Sequence, residues 1–123
     1  MSFTVKDTAP EFAALTHIKN NFYFSEMLGN AEKKKQASCG IFSIEGGKET
    51  TLKVPSDGFN YIIEGELYLE DVANGRAPVR LEAGHVAHVA KGSTLRWSTP
   101  TKCKGFFVGL KAFGDHSFQS DVY

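Results

Sequence analysis

The chain has 123 residues, enough for one domain burying about two-thirds of its unfolded surface, so no disulfide or metal is required to hold a core. Fourteen Lys plus Arg balance fourteen Asp plus Glu, and this zero net charge argues against a nucleic-acid surface and against an acidic tail. Hydrophobic residues at 41%, with no run near the ~20 apolar residues of a membrane span, place the sequence among soluble globular chains.

The first segment, residues 1–36, reads as an N-terminal arm packing on the rest of the domain. Met1 to Pro10 lacks the positive-then-apolar pattern of a leader. Together with Cys39 and Cys103, which share no CxxC-type spacing, this predicts a cytoplasmic protein with two free thiols. Thr8 as N-cap and Pro10 in the first turn predict one or two helical turns over residues 9–15. Phe22-Tyr23-Phe24 reads as an exposed aromatic strand and predicts a homodimer formed by strand addition, with packing inside one chain as the competing reading. Lys33-Lys34-Lys35 reads as a solvated loop.

From residue 37 strand signals dominate. Residues 37–45 form an apolar run closed by Gly46-Gly47, and residues 49–54 alternate with period two until Pro55. Residues 59–63 read as a buried strand and residues 66–70 as an alternating one. Asn74-Gly75 and Ala83-Gly84 are turn signals on either side of a strand at 78–81. Residues 86–90, 94–98 and 105–110 are further strands, and residues 113–123 a C-terminal tail. Short strands with turns between them predict an all-β sandwich or barrel.

Two segments resemble the paired motifs of the cupins. Asn60-Tyr61-Ile62-Ile63-Glu64-Gly65-Glu66 is similar to the end of the first, and Gly84 to Ser93 to the second; the run Lys91 to Pro100 resembles the ethanolamine-utilisation type and its small fungal-type relatives. The resemblance covers roughly residues 37 to 112 and implies a single cupin barrel, a double-stranded β-helix or jelly roll, over residues 37–112. His85 stands where the family often has Asp, and Ala90 where it usually has Pro.

The resemblance also bears on metal. Metal-binding cupins carry His-x-His and Glu in the first motif and His in the second. Here those positions fall on Leu52, Val54 and Gly58, and nearest Arg96, none of which ligates through its side chain. No metal and no other cofactor is predicted. His85 and His88 are three apart on one strand and leave opposite faces.

Taking Gly58 as inward, alternation predicts Asn60 and Ile62 in the lumen, with Tyr68, Val86 and Trp97 as further ligand-binding candidates. His88 and Arg96 are the predicted catalytic residues. Imidazole suits proton transfer near neutrality, and an inward guanidinium would stabilise a developing oxyanion. Each has a plainer alternative: a core histidine bonded to a backbone carbonyl, and an arginine paired with Glu66 or Glu70 or reaching solvent at the rim. A one-residue slip reverses every such assignment. The predicted function is a metal-independent isomerase, cyclase or lyase acting on a small carbonyl, carboxylate or phenolic molecule. The alternative is a non-catalytic cupin that binds a small ligand or supports an enzyme complex. Small organic ligand and second copy are the predicted partners; nucleic acid and membrane are not.

Overall fold

A computed structural model describes residues 4–30 and 34–115. One short helix, α1 (Thr8–Phe12), precedes nine strands: β1 (Thr16–Lys19), β2 (Phe22–Gly29), β3 (Ser38–Glu45), β4 (Glu49–Lys53), β5 (Gly58–Asp71), β6 (Val79–Glu82), β7 (Val86–Val89), β8 (Thr94–Ser98) and β9 (Lys102–Gly109). Every pairing is antiparallel, and the strand order β1-β2-β3-β9-β5-β8-β4, with β6 and β7 also on β5, rolls the sheet into a nearly closed barrel. The all-β jelly roll predicted from the motif pair is the observed architecture. The helix starts one residue earlier than predicted: Asp7 is the N-cap, and its Oδ1 accepts from Ala9 N at 3.0 Å.

β5 holds the two halves together. Its first half pairs with β7 and β9, its second with β6 and β8. Between them the ladder to β9 slips at Ile62/Glu64, and Gly65 takes φ +80°. A bulge of this kind adds one residue to one strand and re-aims the residues beyond it. Gly58, Asn60 and Ile62 therefore face inward before it, and Leu67 and Leu69 after it.

The core lies inside the barrel. Phe22, Phe24, Phe42, Ile44, Leu52, Val54, Ile62, Leu67, Leu95 and Trp97 are buried there, drawn from β2, β3, β4, β5, β8 and the short β4–β5 link. Phe22 and Phe24 correct the expectation of an exposed aromatic edge. Alternation turns them into the barrel of their own chain, while Tyr23 faces out and stacks on His17 at 4.6 Å. The strand at this end of the sheet is instead β1, the short Thr-His-Ile-Lys segment. A polar pair is buried beside it: the Thr50 hydroxyl donates to Asn21 Oδ1, and Asn21 Nδ2 donates to the carbonyls of Lys48 (2.9 Å) and Trp97 (3.3 Å). Cys103 is fully buried, and burial pushes its thiol up to about 12, leaving no thiolate at neutral pH. Cys39 is half-buried, and the two thiols are free. No described helix is long and apolar enough to cross a membrane.

Candidate functional site in the barrel

Inside the barrel lies a cavity of about 100 Å³. Phe22 and Phe24 of β2, Phe42 of β3, Trp97 of β8 and Phe107 of β9 supply its aromatic walls, with Leu52, Val54 and Val89 between them. The rings pack edge to face: Trp97 meets Phe22 at 5.8 Å and 89°, and Phe42 at 6.0 Å and 81°. Aromatic quadrupoles favour that arrangement over face-to-face stacking.

Two of the side chains in this lining that carry polar atoms are almost fully buried. Asn60 is 5% exposed and Trp97 4%. Asn60 Nδ2 and Trp97 Nε1 are buried without an acceptor among the described residues. Native interiors rarely leave donors unpaired, because each unmet one costs about 1–3 kcal/mol.

Of the described residues lining the cavity, Lys111 alone is titratable. Its ammonium is held by Glu26 Oε2 at 2.9 Å and by the Asp115 carbonyl at 2.8 Å, and Glu26 Oε1 also accepts from Gly114 N. Glu26 thereby clasps the segment after β9. Burial alone would raise the Glu26 carboxyl. The bonds from Lys111 and Gly114 and the Lys111 charge outweigh it and hold the group below its ordinary 4.5. A lowered carboxyl pKa contributes stability above the unfolded value that is lost as pH falls through the folded one. Thermal melts from pH 7 to pH 3 should show that loss beginning below about 4.5. Glu26→Gln should remove this component and destabilise the fold at neutrality by about 1.5–3 kcal/mol, the worth of a charged hydrogen bond.

The predicted site residues divide. Asn60 and Ile62 face the lumen as expected, and Trp97, a ligand-binding candidate whose neighbour Arg96 was the one expected to face inward, lies there too. His88, Arg96, Tyr68 and Val86 are not. Residues directly opposite in an antiparallel pair share a face, and His88 lies opposite Phe59, Val86 opposite Tyr61. The β7 residues that face in with Gly58 and Asn60 are Val89 and Ala87. The His88 ring lies outside on Phe59 at 5.2 Å, with Nε2 3.8 Å from Asp57 Oδ1. Tyr68 lies opposite Ser98 and shares the outer face with Glu70 and Arg96, because the Gly65 bulge has moved the inward positions to odd numbers. Arg96 Nη1 donates to Glu70 at 3.1 and 3.2 Å, and its Nε is 3.6 Å from Glu49. The paired-arginine alternative describes this geometry, with Glu70 as partner; Glu66 is taken by Arg80 at 2.8 Å.

The remaining histidines are placed in part. His17 Nε2 contacts the Asn20 carbonyl at 2.9 Å, and His85 Nδ1 accepts from Glu82 N at 3.1 Å. His116 and Lys33 lie outside the described residues. Sequence reading missed Phe22, Phe24, Phe107, Glu26 and Lys111. The inward register of the two phenylalanines was the one available signal, since they alternate with Tyr23.

The lumen does not fit the metal that many cupins hold. Leu52 and Val54 point inward at the His-x-His positions and present hydrocarbon, and the inward β8 position is Trp97. Among the described residues no three His, Cys, Asp or Glu side chains converge on one point.

Comparison with known proteins agrees with this architecture. No curated protein sequence matches the chain. Among solved structures, ectoine synthase from P. lautus superposes with a TM-score of 0.78 at 16% identity, over 98% of this chain and 88% of that one. The Clostridium difficile EutQ protein superposes with a TM-score of 0.62 at 22% identity, over 75% of this chain and 64% of that one, so the match spans less than two-thirds of EutQ. The Schizosaccharomyces pombe Cnp3 cupin domain gives 0.60 at 12% identity, over 79% and 67%. At these identities the likeness is one of fold. The sequence model of the EutQ-like cupin domain matches residues 31–107, and the chain belongs to that family of cupins.

Proposed function

We propose that this cupin binds a small, uncharged molecule in its barrel through an oxygen that accepts from Asn60 Nδ2 and Trp97 Nε1, and that it binds without catalysing a reaction. The carrying observation is the pair of buried, unpartnered donors on two residues that line a largely apolar cavity. A carbonyl, lactone or ether oxygen would meet both donors while its hydrocarbon filled the aromatic cage. A carboxylate would enter a hydrocarbon wall whose one cation is already neutralised by Glu26. The acid–base reading depended on His88 and Arg96 inside the barrel, and both side chains lie outside it. Neighbours named as a synthase and as an ethanolamine-utilisation protein share the fold, and a fold hosts either role.

The test is titration of the protein with cyclopentanone, δ-valerolactone and cyclopentanecarboxylate, followed by amide chemical shifts. The neutral compounds should bind and the carboxylate should not. Asn60→Leu should weaken the neutral ligands about three- to tenfold, the loss of one neutral hydrogen bond, while raising the melting temperature because it removes an unmet donor. Arg96→Ala should leave binding unchanged. Tighter binding of the carboxylate, or its loss with Arg96→Ala, would return the anionic-ligand reading to first place.

A further inference from the structure

Alternation that aims side chains inward should also bury them, and on β6 it does not. Leu67 and Leu69 face the interior, and Leu81 and Val79 stand directly opposite them across the β5–β6 ladder. Yet Leu81 is only half-buried and Val79 is 49% exposed. Asp71, paired with the buried Leu95 of β8, lies on the same inner face.

The topology supplies the reason. β6 pairs with the second half of β5 and β7 with the first half, so each has one edge without a ladder partner among the described residues. Side chains of both strands line a hollow of about 290 Å³. Leu69, Val79, Leu81, Ala87 and Leu95 give it apolar walls, and Val89 is the one lining residue it shares with the aromatic cavity.

The polar part of its lining comes from the turn after β5 and the residue before β8. Asp71, Arg76 and Ser93 meet there, and Val72 N donates to the Thr94 carbonyl at 3.2 Å, which joins the two segments. His88 borders the hollow from β7 with its ring on the outer face. The Asp71 carboxylate is held by its own turn, accepting from Asn74 N at 3.3 Å and from Asn74 Nδ2 at 2.7 Å. A carboxylate has about four acceptor positions, so roughly two stay open. Among the described residues no carboxylate stands within ion-pair distance of Arg76, Asp71 included.

We infer that this hollow is a second binding site, separate from the barrel cavity, and that it takes a free α-amino acid with an apolar side chain. An acid and a base that border one hollow without neutralising each other select a ligand that carries both charges. Its carboxylate meets the Arg76 fork, its ammonium meets the open positions of Asp71, and its hydrocarbon lies on Leu69, Val79 and Leu81. A simple carboxylate would satisfy Arg76 and face Asp71 unpaired; a simple amine would do the reverse. A neutral hydrocarbon would strip water from both charges and pair neither. The volume sits at the lower end for ligand pockets, about 300 Å³, and suits one amino acid rather than a larger molecule.

Titration of the full chain with L-leucine, isocaproate and isoamylamine, followed by amide chemical shifts, tests the inference. L-Leucine should shift the amides of Leu69, Arg76 and Val79 and bind about fivefold tighter than either singly charged analogue, the upper worth of an ion pair in solvent. Arg76→Gln should weaken L-leucine about fivefold and leave isoamylamine unchanged. Val79→Trp, which fills the hollow, should abolish the shifts. Both variants should melt as wild type does, because Arg76 and Val79 are exposed. Asn60→Leu should leave L-leucine binding intact, which separates this site from the barrel cavity. No shift at these residues, equal binding of isocaproate, indifference to Arg76→Gln, or loss of L-leucine with Asn60→Leu would each overturn the assignment.

Discussion

Phe42→Ala should destabilise the protein by about 3–5 kcal/mol, the usual cost of truncating a buried phenylalanine. Phe42 is nearly fully buried, with Trp97 at 6.0 Å and Phe22 at 6.4 Å. Single domains are stable by about 5–15 kcal/mol, so this loss is a large share of the total. The ring also packs where a Cβ on Gly105 would stand, which explains glycine at an inward position of β9. Gly105→Ala should be destabilising in wild type and much less so beside Phe42→Ala, because the methyl then enters vacated space. Urea denaturation of the four proteins gives the coupling directly; strictly additive effects would show that the ring and the glycine are independent. The vacated volume adjoins the barrel cavity, so on the proposed binding bulkier neutral ketones should stabilise Phe42→Ala more than they stabilise wild type.

Gly65→Val should cost about 3 kcal/mol or more and lower the yield of folded protein, through two effects at one residue. φ +80° is left-handed backbone, which a β-branched residue adopts only under strain. A Cβ there would also run into the Lys102 carbonyl, a backbone group on β9 that cannot swing aside. Straightening β5 would relieve the strain but turn Leu67 and Leu69 out of the core, so the chain has no inexpensive escape. Gly75→Ala provides the comparison: its φ is +62° with open space around it, so only the conformational cost of about 1 kcal/mol applies. Equal losses at the two positions in a denaturant series would mean that the bulge does not set the register.

The outer ion pairs belong to a different scale. Arg96 with Glu70 is partly solvated, and such a pair contributes about 0–1 kcal/mol, while Arg80 with Glu66 lies in solvent. They steady the outside of the barrel and carry no part of the proposed binding.

Much of the architecture is legible in the residues alone. Glycines and Asn-Gly punctuate short alternating segments, and two motifs appear in cupin order on strand–turn–strand contexts. Leu52 and Val54 at ligand positions already put hydrocarbon where a metal would need imidazole, and Asn60 and Ile62 follow inward from Gly58 because all three lie before the bulge. What sequence could not supply is absolute facing. Alternation with period two says which residues share a side, and one extra residue inverts everything after it. The Ile62/Glu64 slip did so to Tyr68, and cross-strand pairing with Phe59 and Glu70 placed His88 and Arg96 outside. Pairing across the barrel likewise brought Phe22 and Phe24, about twenty residues before Phe42 and far from Trp97 in the chain, into one aromatic wall. Local pattern therefore determined the strands, while long-range hydrogen-bond register, which no local pattern encodes, determined which side chains share the cavity.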